Sequence, residues 1–153
     1  ALVVISATPG LDDTARRTRR DADEALARRL ESEGLAAFLD AWSRHPLVGT
    51  AEIDPVAAAV DRERREENSA TGLAAALRGL GQGALPAVDL DRIGAPMLWI
   101  AGARDGAYAA AAQAEAAAGH GRVAIIAGAG HNVVLEAPRA VRDSMDAFLT
   151  SLP

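Results

Sequence analysis

Two short apolar runs, Met97 to Ala101 and Val123 to Ala127, each break off into a glycine-bearing turn, and each is followed by a stretch of helical composition. No other feature constrains the fold as tightly. Runs of about four to eight apolar residues without polar alternation suit strands buried on both faces, and strands separated by helices pair in parallel. The helices expected here are Tyr108 to Ala118 and Pro138 to Leu149. Leu2 to Ile5, closed by Ser6-Ala7-Thr8-Pro9-Gly10, reads as a further buried strand. The turns Gly102-Ala103-Arg104-Asp105 and Gly128-Ala129-Gly130-His131 stand at the carboxyl ends of their strands, where open α/β sheets place ligands.

Between the first strand and the other two the pattern is helical. Asp12 to Glu33 contains neither Pro nor Gly, with Asp12 and Asp13 suited to its start and Gly34 to its stop. Ala15, Ala22, Leu26, Arg29 and Leu30 gather on about a third of its helical wheel. A second helix is expected over Leu35 to Ser43, ended by His45-Pro46. A third opens at Asp54-Pro55 and runs to about Glu67, and a fourth runs from about Ala70 to Leu80, capped by Asn68 or Ser69 and stopped by Gly81. The chain thus divides into a core strand and turn (1–11), a four-helix insertion (12–83) and an α/β segment (84–153).

Composition narrows the function. Half of the 153 residues are apolar and 24% are charged, which predicts a packed fold and excludes disorder or collagen-like repeats. A net charge of -5 argues against nucleic acid or an anionic membrane as partner. All 16 basic residues are arginine, and with abundant alanine this fits a coding bias toward GC-rich codons, which lowers the weight of any isolated Arg. With no cysteine, disulfides, thiol catalysis and zinc-thiolate sites are excluded, and a reducing cytoplasm fits. No apolar run approaches the roughly 20 residues of a membrane span. Ala1-Leu2-Val3-Val4-Ile5 is too short for a signal-peptide core and lacks an initiator Met, so the chain is expected to start in mid-fold.

His131 and Asp105 are the candidate catalytic residues. Adjacent parallel strands lie about 4.8 Å apart, so side chains leaving their carboxyl ends can meet. An Asp against a histidine ring nitrogen fixes the tautomer and stabilises the imidazolium, as in a Ser-His-Asp triad. The competing reading of Asp105 is a turn residue or cap for the following helix.

The order Asp then His, each after a late parallel strand, is the second half of the Ser, Asp, His order of α/β-hydrolases. Ile100-Ala101-Gly102-Ala103-Arg104-Asp105 and Gly128-Ala129-Gly130-His131 resemble that superfamily's closing motifs, and residues 12–83 fall where its helical lid is inserted. The lid resembles that of the 2-succinyl-6-hydroxy-2,4-cyclohexadiene-1-carboxylate synthase family of menaquinone biosynthesis. The resembling pieces are Ser6-Ala7-Thr8-Pro9-Gly10-Leu11, Arg19-Arg20 with Asp23-Glu24-Ala25-Leu26-Ala27, and Phe38 to Trp42 before Pro46-Leu47. Asn68-Ser69, Gly72-Leu73-Ala74 and Leu77-Arg78-Gly79-Leu80-Gly81 complete them. The resemblance implies the carboxyl-terminal part of an α/β-hydrolase fold, about three parallel strands with a four-helix lid. It implies a lyase that removes pyruvate from a polycarboxylated cyclohexene, with no cofactor.

Family members hold substrate carboxylates with lid arginines, and planar guanidinium forks suit that task. Arg19 and Arg65 correspond, against a reading of both as solvated. Arg19 lies about 60° from Ala22 on the apolar stripe, while Arg20 points nearly opposite. Arg65 is chosen over Arg64 only by its spacing to Asn68 and Leu73. Trp42 corresponds to an aromatic wall of the pocket, or else packs in the core. The family often carries a lysine two residues after the triad Asp, where Ala107 stands here.

One departure is large. None of the six serines, at 6, 32, 43, 69, 144 and 151, sits in Gly-x-Ser-x-Gly, and a glycine-rich oxyanion loop is also missing. The nucleophile is therefore expected from an amino-terminal half of the same fold, in the same or a separate polypeptide, and this chain alone is expected to be inactive. The competing functions are a hydrolase of esters or carbon-carbon bonds and a noncatalytic assembly fragment. No His/Asp/Glu cluster has metal-ligand spacing, and Gly79 to Gly83 follows a helix, which removes the geometry for cradling phosphate. His45 and His120 are expected to face solvent.

Overall fold

The computed structural model describes residues 1–45, 47–49 and 53–152. In chain order the elements are β1 (Leu2–Ile5), α1 (Asp13–Glu33), α2 (Leu35–Ser43), α3 (Pro55–Glu66), α4 (Ala70–Leu80), β2 (Met97–Gly102), α5 (Gly106–Ala117), β3 (Arg122–Ile126), α6 (Val133–Glu136) and α7 (Pro138–Thr150). A single 3-10 turn at Leu90–Arg92 precedes β2. The chain forms two units, one of Ala1–Thr8 with Asp89 onward and one of Pro9–Val88.

The first unit is a parallel sheet in the order β1-β2-β3, with Leu2 opposite Met97 and Leu98 opposite Arg122. Every residue of β2 is buried. Its side chains alternate between two cores, as the period of two requires. Leu98 and Ile100 pack with Ile126, Val133, Val141 and Phe148 toward α7. Met97, Trp99 and Ala101 pack with Leu90, Ala109 and Ala112 toward α5. The Trp99 indole N–H is satisfied by the carbonyl of His120 at 2.7 Å.

The second unit holds the helices. Asp12 caps α1 by accepting from the backbone N–H groups of Thr14 and Ala15, both at 2.8 Å, and Gly34 ends it at φ 81°. Asp54 caps α3 with Pro55 in its first turn, and Ser69, rather than Asn68, caps α4. The expected stop of α2 at Pro46 lies outside the described residues. Ala27, Leu30, Phe38, Leu39 and Ala74 form the unit's core, whereas α3 buries no residue fully. The backbone N–H of Val88 donates to the carbonyl of Pro9 at 2.7 Å, tying the unit's two ends together. Among the described residues, no helix is long and apolar enough to cross a membrane.

Candidate functional site

In the sheet unit, the turns after β2 and β3 meet. Gly102 makes this possible: a Cβ there would collide with the carbonyl groups of Ala129 and Gly130. The N–H groups of Ala103 and Arg104 donate to the carbonyls of Ile126 and Ala129, both at 2.9 Å, so the two turns are joined by backbone before any side chain acts.

His131 and Asp105 then face each other, Nδ1 to Oδ2 at 2.7 Å. The Asp105 side chain is 1% exposed and that of His131 17%. A carboxylate so deeply buried requires a donor, so the ring donates through Nδ1–H and a neutral imidazole keeps its lone pair on Nε2. Tyr108, in the first turn of α5, packs its ring against the imidazole, centroids 4.6 Å apart and planes tilted by 58°. A cavity of about 300 Å³ is lined by His131, Asn132, Val133, Val134 and Leu135 together with Ile5 and Ser6. Ser6 has φ 45°, and its hydroxyl is buried without a partner. Glu136 supports the site from behind, with Oε2 accepting from the N–H of Gly130 and from Arg104, each at 2.7 Å.

In the helical unit, Arg65 and Trp42 line the same two cavities, of about 430 and 320 Å³. Arg65 is half-buried and donates through Nε to Asp61 at 2.6 Å, while Arg64 is exposed. Trp42 stacks on Phe38 and His45 at centroid separations of 5.5 and 5.6 Å, and its indole N–H is buried without a partner. Arg19 lines neither cavity. Its Nε donates to Asp23 at 2.7 Å, while Arg20 reaches across to the carbonyl of Gly83. Asp23 is 3% exposed and its second oxygen has no partner.

Asp23, Ser6 and Arg104 stand in the sequence only as parts of the resembling motifs, and Tyr108 and Glu136 carry no site signal there. Asp23 had a signal, since Asp23, Ala27 and Leu30 share one helical stripe. The expectation that His120 faces solvent is corrected. Its ring is 23% exposed and held by Glu115 at 2.8 Å and Asp91 at 3.1 Å, because the turn after α5 folds back over the helix end. His45 is exposed, its Nδ1 accepting from the N–H of Leu47 and of Val48. Among the described residues there is no group of three or more His, Cys, Asp or Glu able to hold a metal.

No protein-family model matches the chain. It is 34% identical over 158 residues to a Bacillus subtilis (strain 168) protein whose name assigns it provisionally to the 2-succinyl-6-hydroxy-2,4-cyclohexadiene-1-carboxylate synthases; 99% of this chain and 57% of that protein are covered. It is 33% identical over 153 residues to the synthase of that name from Salmonella newport (strain SL254), covering 97% of the chain and 58% of the relative. The chain thus spans somewhat more than half the length of the curated relatives it matches. The structure of MenH from S. aureus superimposes with a TM-score of 0.91 at 26% identity, covering 97% of this chain and 57% of that one. A carboxylesterase structure from Nitrososphaera gargenis shares the fold, with a TM-score of 0.75 at 17% identity. By fold and by a similarity that runs along nearly its whole length, the chain has the architecture of part of an α/β-hydrolase and is a relative of the 2-succinyl-6-hydroxy-2,4-cyclohexadiene-1-carboxylate synthases.

Proposed function

We propose that this chain supplies the base and the carboxylate-binding helices of a lyase that eliminates pyruvate from a polycarboxylated cyclohexene in menaquinone biosynthesis. The observation that carries the reading is the 2.7 Å hydrogen bond from His131 to the buried Asp105. With Nδ1 committed to Asp105, Nε2 takes the proton of a serine hydroxyl supplied by another segment, and the serine oxygen removes the substrate proton. The electron pair left behind forms a ring C=C bond as the bond to the pyruvyl group breaks, and the imidazolium gives its proton to the departing group. Asp105 stabilises the imidazolium that results. Backbone N–H groups outside this sequence hold the developing oxyanion.

Arg65 is the stronger substrate ligand. With Nε engaged by Asp61, its two terminal nitrogens are the ones to reach a carboxylate, and Trp42 lines the same cavities. Arg19 is the weaker, since its Nε is likewise held by a carboxylate and it lines neither cavity. The amino-terminal half of the fold, in the same or a separate polypeptide, is the proposed partner, and the cytoplasm the proposed compartment. This chain by itself is expected to be inactive.

The test is turnover of the full-length protein. His131→Ala is expected to lower kcat by about 10²- to 10⁴-fold with substrate still bound. Arg65→Met is expected to raise KM by about 10- to 100-fold through loss of a charge-assisted contact. Unchanged turnover in His131→Ala, or measurable turnover by this chain alone, overturns the reading.

A further inference from the structure

We infer that the Arg104–Glu136 ion pair positions the imidazole of His131, acting on the backbone just ahead of the ring as Asp105 acts on the ring itself. The inference builds on the reading of His131 as the base. Neither residue is placed against substrate, so both are positioning residues.

The geometry is a double tether. Arg104 precedes Asp105 in one turn, and Gly130 precedes His131 in the other. Asp105 bonds His131 directly, while Arg104 and the N–H of Gly130 both donate to one oxygen, Oε2 of Glu136, each at 2.7 Å. The Glu136 side chain is 14% exposed, and that of Arg104 58%. A Cβ on Gly130 would fall 3.0 Å from Oε1 of Glu136, so the carboxylate lies close against that α-carbon.

The hydrogen bond at Nδ1 and the packing of Tyr108 act on the ring itself and leave the backbone that carries it to be held by other contacts. Fixing the Ala129–Gly130 peptide, one residue ahead of His131, restrains that backbone, and the ring follows the torsions of the backbone that carries it. An ionised oxygen suits the task, since it makes charge-assisted bonds to both donors at once. Misplacing a reacting group by about 1 Å can cost a hundredfold in rate, and a tether outside the cavity exerts that control without touching substrate.

The test uses full-length protein labelled with 15N-histidine, following the His131 Nδ1–H resonance and its exchange with water, alongside kcat, KM and thermal midpoint. Glu136→Ala is expected to speed Nδ1–H exchange and to lower kcat by about 10- to 100-fold with KM within about twofold. Glu136→Gln, whose side-chain carbonyl still accepts from Gly130, is expected to recover most of the loss. Arg104→Met is expected to cost about tenfold or less; it alters a mostly exposed side chain and carries the test if Glu136→Ala does not fold. An unchanged Nδ1–H signal and unchanged kcat in Glu136→Ala, or in Arg104→Met if Glu136→Ala does not fold, overturn the inference, even if the thermal midpoint falls. His131→Ala, assayed in parallel, judges the base separately. Should it keep full turnover, the proposed function fails, while the exchange data still decide whether the pair holds the ring.

Discussion

Ser6 closes β1 at φ 45°, and among the described residues no other non-glycine side chain occupies that left-handed region. The backbone there carries strain that a β-branched residue would deepen and glycine would relieve. Ser6→Gly is expected to hold stability or raise it by up to ~1 kcal/mol, and Ser6→Val to lower it by about 1–3 kcal/mol in thermal denaturation. His120 makes a different prediction. Its hydrogen bond to Glu115, and secondarily that to Asp91, raises its pKa above the ordinary 6.5. A raised folded-state value means that the clamp contributes fully below the ordinary histidine range and is lost as pH climbs through the folded-state value. An NMR titration of His120 is expected to show a midpoint above 6.5 that falls back in Glu115→Gln. Contacts of this kind were only partly legible in the sequence. Asp23 could be placed by its helical stripe, whereas the bond of Arg20 to Gly83 spans 63 residues and has no local signature.

At the scale of elements, punctuation decided what could be read. Gly34, Ser69 and Gly81 bracket α2 and α4, and the expected spans coincide with the observed ones. β3 begins at Arg122 and ends at Ile126, one residue earlier at each end than the apolar run suggests, because register with β2 sets its limits. The four-residue α6 went unforeseen, being too short to display a helical period. β2 extends to Gly102, which carries the element-level prediction. Both neighbours that a Cβ would strike are backbone, with little freedom to yield. Gly102→Ala is therefore expected to lower stability by about 1–3 kcal/mol and to separate the two turns, seen as faster exchange at the His131 Nδ1–H.

At the scale of the whole molecule, β1 is one of the two edge strands of the described sheet. The N–H groups of Leu2 and Ser6 donate to the carbonyls of Pro96 and Ile100. The parallel ladder therefore turns the N–H groups of Val3 and Ile5 away from β2. Such a row of groups is a template for another strand. In the 153-residue chain, the Val3 and Ile5 amides are expected to exchange with solvent at least about tenfold faster than that of Val4, and a segment pairing there would slow them. Equal protection of all three without any partner would show the edge to be covered already. The parallel sheet and the helical insertion were both legible in the alternation of strands and helices. What would cover the β1 edge is not written in any local pattern.

The two tryptophans fall one to each unit, Trp42 among the helices and Trp99 within the sheet. Each indole is thus a private optical reporter. Replacing Trp42 with Phe leaves fluorescence that follows the sheet alone, and replacing Trp99 leaves a signal from the helices. Comparing the two emission curves along a denaturant gradient reads whether the halves of this chain melt as one cooperative body or in succession.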